Sequence, residues 1–349
     1  MLHFVNDYSE GCHPRVLARL AETNLEPQPG YGEDAYSQRA ADRIRELCQA
    51  PAAEVFFLSG GTQVNRVAIG ALLRPWEGVL APETGHIAVH EAGAIEAGGH
   101  KVLSLPAHAG KLAPAELAQA LERFHADANR AHMVWPGLVC LSHPTELGTL
   151  YTKAELQALR DICGRYHIAM YLDGARLGCG LVSPESDLSL PELAKRCDAF
   201  TLGGTKQGAL LGEALIFPQG APAHFVTVLK QQGALLAKGR LLGVQFDALL
   251  EDGLYFDLAR NALARAAELR AVFREKGYPF YLESPTNQQF LLLDRETQAR
   301  LAGKVAFSFW ERYDETRDIV RFCTSWATTK DQIEALRQLL PSVNGDGSR

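Results

Sequence analysis

Short apolar runs alternate with amphipathic stretches along most of the chain. The segments 54–58, 78–81, 101–105, 138–142, 167–173, 198–202 and 214–217 each read as a buried strand: brief, mostly apolar and flanked by turn residues. Helical periodicity fills the gaps. Residues 38–49 carry Ala41, Ile44 and Leu47 on one stripe, with Ser37 in position to cap it. Residues 113–125 place Leu117, Ala120 and Leu121 on one face. Thr152 and Glu155 have capping-box spacing and open a helix to about Tyr166. A proline-led helix is predicted over 14–22 and a small-residue helix over 92–98. This alternation predicts an α/β fold with a mostly parallel, doubly wound sheet of seven strands.

Beyond Pro218 the pattern becomes helical, over 223–237 and again from Leu241. A long helix over 254–276 leads into a smaller α+β region. There 288–293, 305–312 and 319–323 read as strands and 330–340 as a closing helix. The expected division is a large domain, 1–250, and a small C-terminal domain, 251–349. Residues 4–8 are short and extended, and segment 1–14 is expected to pack with the small domain. The polar tail 344–349 is expected to fray.

Composition narrows the class. The 349 residues are 47% hydrophobic, enough for a large core and a second, smaller one. Net charge is −6 with both signs interspersed, which argues against nucleic-acid or polyanion binding. Seven cysteines without CxxC spacing favour a reducing cytoplasm over a disulfide framework. The start MLHFVNDYSEG lacks a basic region followed by an apolar run, and no apolar run reaches membrane-spanning length.

Two stretches carry the chemistry. In the first, a strand breaks into Gly203-Gly204-Thr205-Lys206-Gln207-Gly208 before another apolar run. A lysine drawn into a sheet edge has its pKa lowered by burial and is able to form a Schiff base; otherwise it is a hairpin-tip lysine. In the second, a strand ends at Asp173, followed by Gly174-Ala175-Arg176. Carboxyl ends of parallel strands carry ligands, and pyridoxal phosphate needs a carboxylate at its ring nitrogen and a lysine for its aldehyde. Gly60, Gly61 and Thr62 open a helix after a strand, a phosphate site or a plain helix cap. Arg321 lies on an apolar strand, where it needs a partner: a substrate carboxylate or a structural salt bridge.

Two other motifs are weak. Gly30-Tyr31-Gly32-Glu33-Asp34-Ala35 matches GxGxxA but follows Pro-Gln-Pro and not a strand. His86 and His90 are spaced like a metal pair, but HExxH would need histidine where the chain has Ala94, so no metal is expected.

The pieces DGARL, GGTKQGALLGEAL, SGGTQVN and TGHIAVHEAG together resemble the low-specificity threonine aldolase and aromatic β-eliminating lyase family, from about Asn6 to Thr328. The resemblance implies the aspartate-aminotransferase fold (fold type I) with pyridoxal phosphate (PLP) on Lys206. It implies Asp173 at the pyridine nitrogen, His86 stacked on the ring and Gly60, Gly61 and Thr62 at the phosphate. Arg176 and Arg321 would hold the substrate carboxylate, Arg176 also lying at the cofactor. His143, aligned through Gly148-Thr149, would ionise the substrate hydroxyl or remain a bystander. Arg240 would reach a neighbouring subunit's phosphate, in a homo-oligomer expected to be a dimer of dimers, or remain a solvated cap. Asn6 stands where relatives have a serine near the carboxylate. The implied reaction is retro-aldol cleavage of threonine, allo-threonine or phenylserine-like amino acids to glycine and an aldehyde. β-Elimination and transamination on the same fold are the alternatives.

Overall fold

The computed structural model describes residues 1–343; the tail expected to fray lies outside them. Seven strands form the main sheet: β1 (Glu54–Leu58), β2 (Glu77–Pro82), β3 (Val102–Leu105), β4 (Trp135–Ser142), β5 (Ala169–Asp173), β6 (Ala199–Gly203) and β7 (Glu213–Phe217). Their order is β1-β7-β6-β5-β4-β2-β3. β7 is antiparallel to β1 and β6, while the other neighbours pair in parallel. The cause is connection length: only a hairpin fits the short loop from β6 to β7, whereas parallel neighbours need crossovers.

Both faces of this sheet are covered. One packs Ile44, Leu117, Leu159, Phe200 and Phe246; the other packs Val64, Ile69, Val79, Tyr171 and Phe217. Burial on two faces is why the central strands read as continuous apolar runs and not as alternating ones.

A second sheet is antiparallel, with β8 (Phe280–Leu282), β9 (Gln288–Asp294), β10 (Ser308–Arg312) and β11 (Arg317–Cys323) in the order β8-β9-β11-β10. The single strand expected over 305–312 is broken. Val305–Ala306 pairs in parallel with Leu2–His3, and only Ser308–Arg312 joins the sheet. Phe4 is fully buried beside Phe322 in the C-terminal core, so the first residues are stitched to this region.

Several helix bounds also differ from expectation. The cap of Ala35–Cys48 is Asp34, whose carboxylate accepts from the Tyr36 and Ser37 amides; Ser37 donates its hydroxyl to the same carboxylate. The helix expected over 223–237 is only Phe225–Gln231, and Gly233, at φ +70°, turns the chain away just beyond it. The one over 92–98 is a single turn, Ala94–Ala97, because left-handed Ala92 and Gly93 precede it. The Thr152 capping box forms as expected.

The carboxyl ends of β4, β5 and β6 open on one edge. Two glycines allow the turns there to touch. A Cβ on Gly174 would lie 2.0 Å from the Thr201 carbonyl oxygen, and one on Gly203 2.4 Å from that of Ala175.

Candidate active site

Asp173 is the last residue of β5 and is buried. Its Oδ1 accepts from the Ala175 amide at 2.9 Å and its Oδ2 from Asn65 Nδ2 at 2.8 Å. Asn65 lies one turn into the helix Gly61–Leu72 and is itself fixed by Tyr171 Oη at 2.7 Å. The same Asn65 amide donates to Glu91 Oε1 at 2.7 Å, which also holds His86 Nδ1 at 2.7 Å. A buried chain of hydrogen bonds thus ties Asp173 to His86 and sets the imidazole's orientation.

Lys206 follows β6 in the turn back to β7. It is half-buried, with Nζ 5.9 Å from the centre of the Tyr8 ring. Burial lowers its pKa and the nearby Arg176 charge adds to this; Asp7, Asp173 and Glu213 oppose it. Below it Glu213 is buried, and burial pushes its carboxyl up to about 7.

Lys206, His86, Glu146 and Arg176 line a cavity of about 590 Å³, whose outer wall includes Tyr8, His90, Trp310 and Arg321. The same four border an inner recess of about 50 Å³ reached by Gly61, Asn65 and Asp173. The two arginines differ sharply. Arg176 Nε and Nη2 donate to Asp7 at 2.6 and 3.0 Å. Burial would raise the Asp7 carboxyl, but the charges of Arg176 and Lys206 and the donors around it outweigh that and hold it at about 2. Arg321 donates only to neutral groups: Gln288 Oε1 at 3.0 Å, the Val5 carbonyl at 3.2 Å and Ser308 Oγ at 3.5 Å. It has no acidic partner among the described residues, and its Nε is buried without an acceptor. Its guanidinium sits 5.4 Å from the Trp310 ring centre.

Three expected site residues lie elsewhere. His143 is fully buried and borders neither cavity space: its Nδ1 accepts from the Tyr151 amide at 3.3 Å, and its ring packs on Gly180. Burial lowers its pKa to about 4, so it is neutral. Asn6 spends its Oδ1 on the Tyr8 amide and the Ser9 hydroxyl, a local turn. Arg240 donates to the Thr23 and Glu26 carbonyls, away from this chain's cavity. Conversely, Asp7, Asn65, Glu91 and Glu146 belong to the site and were not singled out from the sequence. Asn65 had a signal, a polar residue on the otherwise apolar face of its helix; Asp7 and Glu146 had none beyond lying near recognised motifs.

PLP fits this arrangement. The helix Gly61–Leu72 leaves its first N–H groups without intrahelical acceptors, and a Cβ on Gly60 or Gly61 would meet nothing within 4 Å. That open cradle, the half-buried lysine and the buried carboxylate are the three contacts the cofactor needs.

The fold and site together are those of a PLP-dependent enzyme of the aspartate-aminotransferase fold type I, a carbon–carbon lyase. The chain resembles Thermus thermophilus aspartate aminotransferase with a TM-score of 0.69 at 15% identity, covering 97% of this chain and 92% of that one. The beta-eliminating lyase family matches residues 8–296, and the chain belongs to that family. It is 31% identical to the low specificity L-threonine aldolase of Pseudomonas aeruginosa over 98% of both chains. It is 42% identical to Leishmania major threonine aldolase, with a TM-score of 0.93 over 97% of this chain and 98% of that one.

Proposed function

We propose that this enzyme cleaves L-threonine, L-allo-threonine and phenylserine-like β-hydroxy-α-amino acids to glycine and an aldehyde. The observation that carries the reading is a cavity where Lys206 and His86 face Arg321, which has no acidic partner among the described residues, and an inner recess that adds Asp173 to the same lysine and histidine. Kinship with threonine aldolases supports it. Lys206, Asp173, His86, Gly60, Gly61 and Thr62 would hold PLP, which supplies, when bound, the electron sink for charge developing at the substrate Cα. Burial and the Arg176 charge lower the Lys206 pKa, which favours the neutral amine needed to attack a carbonyl. Asp173, fixed by Asn65, would favour a proton on the cofactor's ring nitrogen. Arg321 receives the substrate carboxylate, which relieves its unpaired burial. Arg176 lends its charge from beside it, with two donors already on Asp7. Together they orient the amino acid so that one bond to Cα is selected for cleavage.

The subunits are proposed to assemble as a dimer of dimers. Arg240 then serves a neighbour's site, since it does not line this chain's own cavity. All seven cysteines are free, in keeping with a reducing cytoplasm, and no helix among the described residues is long and apolar enough to cross a membrane. The test is product analysis on PLP-loaded protein given threonine and phenylserine. Equal yields of glycine and the matching aldehyde are expected. A keto acid with ammonia would mean β-elimination instead, and would overturn the aldolase reading.

A further inference from the structure

We propose that Glu146 exchanges the proton of the substrate's β-hydroxyl, the role that the sequence suggested for His143. The inference rests on the aldolase reading above. Glu146 stands in the loop after β4 and borders both the large cavity and the inner recess, in company with Lys206, His86 and Arg176. It is 8% exposed. One oxygen is anchored: Oε1 accepts from the His86 amide at 2.8 Å and from Ser142 Oγ at 2.5 Å. The other, Oε2, is buried with no donor. A buried carboxylate oxygen without a donor is costly, and a substrate hydroxyl entering this cavity supplies one. His143, by contrast, faces Gly180 and Tyr151 and meets no cavity.

The charged groups around Glu146 suit the task. Burial raises its pKa and the Asp173 charge adds to this, against the Ser142 hydroxyl and the His86 amide, which favour the charged form. Arg176, Lys206, His86 and Glu83 share the cavity wall. A carboxylate so placed is a better base than a free one and returns its proton readily. In the step, the Cα–Cβ bond breaks and leaves its electron pair at Cα. The hydroxyl O–H bond breaks, its proton goes to Glu146 Oε2, and its electron pair forms the carbonyl of the aldehyde. A proton reaching Cα completes glycine. One proton leaves oxygen and one joins carbon, so no redox partner is needed.

The test compares PLP-loaded wild type with Glu146→Gln. Three quantities are read: threonine cleavage, exchange of the glycine α-hydrogen in D2O by NMR, and the glycine Kd from the visible absorbance change. The amide keeps an acceptor for the His86 and Ser142 donors. Cleavage is expected to fall about 10²- to 10⁴-fold, while exchange and Kd stay within about threefold of wild type. Cleavage that survives within that margin, or exchange that falls in parallel with cleavage, would overturn the proposal. Wild type that exchanges the glycine hydrogen yet does not cleave threonine or phenylserine would instead sink the aldolase reading itself. Ser142→Ala gives a milder check, since it removes a hydroxyl that steadies the carboxylate. The acid limb of kcat/KM for cleavage should move to higher pH, and an unmoved limb contradicts the assignment.

Discussion

At the residue scale, the site sets buried polar groups held by named partners beside buried atoms left without one, Arg321 Nε and Glu146 Oε2 among them. His143 shows what happens when one is buried for packing alone. Its pKa falls from 6.5 to about 4 because burial disfavours the imidazolium. Between those values the unfolded chain binds a proton that the folded chain refuses. Its contribution is therefore complete above pH 6.5 and is lost as pH falls through the window, amounting to roughly 3 kcal/mol. Urea unfolding at pH 7.5 and pH 4.5 should show this loss in wild type, and His143→Gln should remove most of that pH dependence. The residue-level chemistry was unevenly legible. Lys206 and Asp173 stand out because each interrupts an apolar strand end. Asp7 does not: nothing in the sequence links position 7 to Arg176, and only the fold brings the two within 3.0 Å. Glu146 was hidden behind a histidine three residues away, which the backbone turns inward.

At the element scale, the helix Gly61–Leu72 does two jobs with one turn. Its open N-terminus is the proposed anion cradle, and Asn65, four residues after Gly61, reaches back to Asp173. Gly60→Asp separates the jobs. Aspartate is a favourable cap and its Cβ would meet nothing within 4 Å, so unfolding stability should hold or rise slightly. Its charge would face the phosphate proposed to bind there, so PLP affinity, followed by absorbance titration, should weaken by about tenfold or more. Unchanged affinity would place the phosphate elsewhere. All seven strands of the main sheet were readable, because two-sided burial writes them as apolar runs. The helices over 223–237 and 92–98 were over-read, since left-handed residues such as Gly93 and Gly233 cut the period short.

At the scale of the whole molecule, the N-terminal segment joins the two sheets. Leu2–His3 pairs with Val305–Ala306, Phe4 fills the C-terminal core, the Val5 carbonyl accepts from Arg321, and Asp7 holds Arg176 beyond β5. Phe4→Ala should therefore cost about 3–5 kcal/mol in denaturant unfolding. It should also raise KM for threonine more than it lowers kcat, because the Arg321 anchor loosens. A stability loss with KM unmoved would separate the segment from the site. The sequence led to the expectation that segment 1–14 packs with the small domain, but not to these contacts: a two-residue parallel pair has no period to detect, and its partner was merged into a longer apparent strand.

The central claim is that Lys206 carries PLP in this cavity. Borohydride reduction of the PLP-loaded protein, followed by peptide mass mapping, tests it directly. The account predicts a PLP-derived group on Lys206 and on no other lysine. A reduced adduct on a different lysine, or none on a folded protein saturated with PLP, would contradict it.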